Sequence, residues 1–124
     1  MSQRIRIGSS QDKSAIKKWR ELKRLHAEAD KERALKNNLK QKLLSKIKKY
    51  AVPNNPHSID YMSINTAIWT DSEELVDNTD FPEDIKSEAR TIIVQSNKIS
   101  QIVAEIMRLS DEYNAIVKDA EYYR

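Results

Sequence analysis

Residues 82–123, PEDIKSEARTIIVQSNKISQIVAEIMRLSDEYNAIVKDAEYY, decide the fold. Ile85, Ile92, Ile99, Ile106, Tyr113 and Ala120 recur every seven residues. Ile102, Leu109, Ile116 and Tyr123 fill the companion heptad position from 102 onward, with Val103 and Val117 beside them. Such spacing lays one apolar stripe along an α-helix. Just before it, Asp80-Phe81-Pro82-Glu83 supplies a capping carboxylate, a proline suited to the first turn, and acids at the positive end of the helix dipole. A helix is predicted over about 82–122.

Working outward, the first half of the chain has a weaker stripe of the same kind. Ala15, Trp19, Leu22, Leu25, His26, Ala29, Leu39, Leu43, Leu44, Ile47 and Ala51 share one helical face. Arg33 and Lys36 interrupt it, and Asn37-Asn38 lowers helix propensity there. The reading is one helix over about 12–50 with a soft centre, the alternative being two helices meeting at Asn37. Val52-Pro53 ends it, because the residue before a proline is pushed out of the α region.

Between these segments, Pro53-Asn54-Asn55-Pro56 is turn chemistry. One or two short helices are expected in the connector 52–81, over about 58–68 and 71–77, the second with Thr70 and Glu73 at capping-box spacing. Residues 1–10 read as a flexible basic tail, although Arg4-Ile5-Arg6-Ile7 alternates like a short strand. The expected fold is all-α: a single helical domain over 11–124, its two long helices forming an antiparallel hairpin or coiled-coil bundle. Only one glycine and three prolines in 124 residues argue against all-β or α/β alternatives.

Charge is divided between the halves. Residues 1–50 hold 16 Lys and Arg against 5 Asp and Glu, whereas residues 51–124 hold 6 against 14. The halves therefore either complement each other or meet partners of opposite charge. No apolar run approaches the roughly 18 residues that a membrane span needs. The first residues lack the apolar stretch of a secretory signal. Absence of cysteine excludes disulfides and thiolate metal sites and favours an intracellular, cytoplasmic or nuclear address.

Catalysis has little footing. His26 and His57 lack companions at zinc-ligand spacing, and His26 reads as a half-buried seam residue. Glu73 and Glu74 sit where a helix start wants acids. One glycine leaves no phosphate-cradling loop. No catalytic residue, metal, cofactor or small-molecule substrate is assigned.

Two functional expectations remain. The first is a non-catalytic helical interaction or assembly subunit. The isoleucine face looks wider than one interrupted helix can cover, so a helical partner or a second copy would complete the core, the alternative being a monomeric bundle in which Tyr61, Met62, Ile64, Ile68, Trp69, Leu75, Val76 and Phe81 of the connector cover the rest. Its interface residues would be Ile92, Ile99, Ile102, Val103, Ile106, Leu109, Tyr113, Ile116 and Val117, with Trp19 and Leu22 from the first helix. The second is nucleic-acid or ribosome contact through Lys13, Lys17, Arg20, Arg24, Lys31, Lys42, Lys46, Lys48 and Lys49, a row able to track phosphates. Trp19 and Trp69 are expected as core anchors.

Overall fold

The protein is described from a computed structural model. It describes the backbone of residues 3–51 and 59–124 and the side chains of residues 3–48 and 64–124. The Pro53–Pro56 turn, His57 and the side chains of Lys49, Tyr61 and Met62 lie outside the described residues.

The fold is all-α, with two long helices, α1 (Ser10–Ala51) and α4 (Glu83–Val117), packed against each other as a hairpin. Between them in sequence come the short helices α2 (Ile59–Trp69) and α3 (Glu73–Asp77). Helix α1 runs unbroken through Asn37-Asn38, so the soft centre does not break it. The chain divides into two compact units, residues 1–30 with 100–124 and residues 31–99.

In the first unit, the core is Leu22, Leu25 and Ala29 of α1 against Ile102, Ile106 and Leu109 of α4, with half-buried Tyr113 packed on it. The unit also holds two strands, β1 (Gln3–Arg6) and β2 (Ala120–Tyr123), paired in parallel with Gln3 opposite Ala120 and Arg6 opposite Tyr123. Both strands depart from the sequence expectation. The segment read as part of a flexible tail buries Ile5 completely. The helix expected to reach 122 stops at Val117, because Asp119 takes a left-handed φ of 56° and turns the chain out of the helix. The Ile5 side chain and the ladder hydrogen bonds outweigh one more helical turn.

Entry into α1 is closely specified. Gly8 has a φ of 86°, a region that side-chain-bearing residues avoid. Its N–H donates to the Asp12 carboxylate at 2.8 Å, and the Asp12 N–H donates to the Ser9 hydroxyl at 3.2 Å. These bonds satisfy backbone donors that a helix start leaves open.

In the second unit, Leu43 and Ile47 of α1 and Ile85, Ala89, Ile92 and Ile93 of α4 share one core with Ile64, Ala67 and Ile68 of α2 and Val76 of α3. Phe81 joins them just before α4 begins. Helix α3 is capped by Ser72, whose hydroxyl accepts from the Leu75 N–H at 3.2 Å. The cap expected at Thr70 is absent because the Thr70 hydroxyl donates to the Thr66 carbonyl instead.

Candidate functional site

Three groups of residues could carry function: the isoleucine columns of α4, the basic row of α1, and the polar and aromatic residues on the flanks of the hairpin.

The columns are largely enclosed. Ile92, Ile102, Ile106 and Leu109 are buried, as is Leu22 opposite them on α1. Ile99, Val103, Tyr113, Ile116 and Val117 are half-buried. Helix α1 covers this face in the first unit, whereas in the second unit α2, α3 and Phe81 help it to enclose Ile92. Most buried residues of α1 follow two heptad columns, Ala15, Leu22, Ala29 and Leu43 in one, Leu25 and Glu32 in the other, with Asp12 and Ile47 buried beside them. The isoleucines therefore stabilise the hairpin itself. Large apolar groups that face solvent lie elsewhere: Ile16, Trp19, Leu35, Trp69, Val94 and Met107 are all exposed.

Neither tryptophan is the core anchor expected. Trp69 is 77% exposed, with the Lys40 ammonium 5.0 Å from its ring centre. Trp19 is 49% exposed, stacks at a tilt on Tyr113 with ring centres 5.9 Å apart, and carries the Lys23 ammonium at 5.8 Å. With Leu22, His26 and Ser110 these rings line an open groove of about 490 Å³ in the first unit. His26 is exposed rather than enclosed in the seam, since it stands one residue past Leu25 and outside both buried columns.

Helical spacing brings part of the basic row together. Lys13, Lys17, Arg20 and Arg24 line one open depression of about 680 Å³ around Ile16. Arg24 is engaged by Glu21 and, at 3.1 Å, by Glu28. Its guanidinium holds the Glu21 carboxyl below the usual carboxylate range. Lys13, Lys17 and Arg20 make no ion pair among the described residues. In the second unit Lys42 and Lys46 share a depression with Glu88. Lys46 lies 3.2 Å from Glu88 and 3.8 Å from Asp84, so that part of the row is answered by α4. Lys31 and Lys48 are exposed on α1. The first unit has its own bridge between the helices, Lys18 to Glu112 at 3.1 Å. The charge division of the sequence is thus partly consumed inside the chain.

Sequence reasoning missed a polar layer in the second unit. Glu32 is buried, and its backbone carbonyl accepts from the Gln95 side-chain amide at 3.0 Å. Its carboxylate accepts from the same amide and from Lys98 at 3.2 Å. These bonds, Gln95 first and then Lys98, hold the Glu32 carboxyl below the ordinary range. Ser96 beside Gln95 is buried, and its hydroxyl makes no hydrogen bond among the described residues. Column spacing could have revealed the layer, since Glu32 is seven residues from Leu25 and Leu39, and Gln95 is seven from Ile102.

A second exposed cluster ties α3 to α4, where Arg90 bonds Asp77 and Glu83 and its guanidinium pKa is raised by both. Among the described residues no group of three His, Asp or Glu could hold a metal ion. No described helix is long and apolar enough to cross a membrane. Comparison with family models, with curated proteins and with solved structures found no match.

Proposed function

We propose that the chain is a non-catalytic, intracellular helical interaction subunit that docks onto a helical protein. The observation that carries this reading is the placement of apolar side chains. The isoleucine columns are used within the hairpin, yet Ile16, Trp19 and Met107 remain at the surface of the first unit. Exposed large residues on rigid helices are what interfaces are built from, and tryptophan is prominent among those that dominate binding energy. The revised interface shifts from the buried Ile92, Ile102, Ile106 and Leu109 toward Trp19 and the half-buried Tyr113, Val103 and Val117.

Affinity capture of the full chain from its native cell, followed by native mass measurement, tests the role. The expected result is a stoichiometric complex with one protein that survives nuclease. Recovery of the free chain alone, or of particles that nuclease dissolves, would overturn it.

Lys13, Lys17 and Arg20, which make no ion pair among the described residues, favour a second reading, salt-sensitive contact with nucleic-acid phosphates. At about 50 mM salt this reading requires retention of RNA or DNA, because weak screening is where phosphate contacts are strongest. Reversal of Lys13, Lys17 and Arg20 to Glu would then abolish retention. Wild-type protein that binds neither polymer at that salt removes the reading.

A further inference from the structure

The flanks of the hairpin carry a contrast within one heptad register. If Ala15, Leu22 and Ala29 define the a column of α1, then Trp19, His26 and Ile47 all fall at e. Setting Ile92 and Ile106 of α4 at a places Ala89 and Ser110 at e, and Ile93 and Met107 at b. In the second unit these flank positions have a third helix against them. Ile47, Ala89 and Ile93 are buried in one core with Ile64, Ala67 and Ile68 of α2. In the first unit, the same letters have no helix against them among the described residues. Trp19 and Met107 are 49% and 64% exposed, and Trp19, His26 and Ser110 line the open groove.

We infer that this groove is a docking site for an amphipathic, acidic helix of a partner protein, which takes the third-helix role that α2 takes in the other unit. The inference rests on the interaction-subunit reading and deepens it. Geometry and charge argue for this occupant. Trp19 and His26 lie two turns apart on α1, so they match the i and i+7 anchors of a helix laid alongside. The eleven residues of α2 show that a short apolar helix suffices for such a position. Lys23 stands over Trp19 at the rim, and Lys13, Lys17 and Arg20 lie on the neighbouring strip of α1 without ion pairs among the described residues. Across the groove, Ser110 and Tyr113 of α4 are uncharged, while Glu112 is already engaged by Lys18 and Arg108. A helix with acids on its rim would meet cations on one side and no unpartnered charge on the groove floor. Its leucine or isoleucine face would cover Trp19 and Met107.

The test uses the full chain carrying Trp69→Phe, so that Trp19 is the sole indole. Trp69 is mostly exposed and outside the groove, so this change leaves the site intact. The probes are two synthetic helical peptides of about 18 residues, long enough to form helix. Both carry leucine at i, i+3, i+4 and i+7, one with glutamate and the other with lysine on the flanks. The glutamate peptide should shift Trp19 emission to the blue and bind at least tenfold more tightly than the lysine peptide. Lys23→Glu, at an exposed position that folding tolerates, should cut that affinity about tenfold. Trp19→Phe, which keeps a ring on Tyr113, should weaken it less than Trp19→Ala, read from the anisotropy of labelled peptide.

Equal affinity for the two peptides, or no change in Trp19 emission, overturns the inference. So does a blue shift with protein concentration alone and a doubled mass, which would seat a second copy in the groove. Displacement of the bound glutamate peptide by duplex RNA would overturn it in favour of phosphate contact. If native capture still returns a protein complex while the peptides fail, the interaction role stands and only this site is lost.

Discussion

Gln95 of α4 donates its side-chain amide to Glu32 of α1 twice, at the backbone carbonyl and at the carboxylate. A carboxylate between the two long helices is costly unless its lone pairs are filled, and here Gln95 and Lys98 fill them. Removing one partner strands the others. Glu32→Ala and Gln95→Ala should each lower the urea midpoint without changing the helical spectrum. The double change Glu32→Leu/Gln95→Leu should recover the midpoint or exceed it, since an apolar pair abolishes the desolvation that the polar pair must offset. Single variants as stable as the wild type would show that the layer carries no stabilising interaction.

The same carboxylate makes stability depend on acid. Its pKa is depressed in the folded state by the Gln95 amide and then by Lys98. A depressed carboxyl contributes stability that is fully present above its unfolded pKa, about 4.3 for glutamate, and is lost as pH falls through the lower folded value. Glu21 and Glu105 are depressed too, by Arg24 and Arg108, but at exposed sites where solvent screens the effect. Urea midpoints of the wild type should therefore hold from neutrality to about pH 5 and fall below that. Glu32→Gln should flatten the fall. An identical acid slope in that variant would assign the loss to other carboxyls.

Enclosure of the isoleucine columns can be weighed with two neighbours on α4. Ile92 is 1% exposed and Val94 is 61% exposed. Ile92→Ala removes packed methyl groups and leaves a cavity, at a cost of about 2–5 kcal/mol. Val94→Ala should stay within about 0.5 kcal/mol, since little is buried there. Equal effects in chemical denaturation would mean that Ile92 is not held inside the chain.

How far the sequence speaks for this fold follows from what periodicity can and cannot encode. The helix start near Pro82 and the two long helices are legible because they rest on local capping and spacing, whereas the second short helix is predicted in the right place for the wrong cap, Thr70 in place of Ser72. The strand pair is not, because Gln3–Arg6 and Ala120–Tyr123 gain their ladder only from each other, at opposite ends of the chain. For Glu32 the difficulty was chemical: a carboxylate in a leucine column reads as an interruption until Gln95 and Lys98 arrive from the other helix. The tryptophans show the converse. Composition marks them as core residues, yet Trp19 lies one residue past Lys18, on the flank where Ile47 is buried by α2 in the other unit, and with no helix against it among the described residues it stays at the rim.

Gly8 links the strand pair to α1, and its requirement is conformational alone. Its φ is 86°, and nothing lies within 4 Å of where a Cβ would stand. Gly8→Ala therefore meets no clash and should cost only the backbone strain, about 1 kcal/mol. Asn tolerates positive φ better than Ala, so Gly8→Asn should cost less. The loss should be local. The Ile7 N–H donates to the Tyr123 carbonyl at 2.7 Å, one residue before Gly8, and its hydrogen exchange should quicken in Gly8→Ala while the Leu43 and Ile92 amides stay protected. Exchange at Ile7 unchanged by alanine, or faster in the asparagine variant than in the alanine one, would mean that the positive φ does not hold β1 in place.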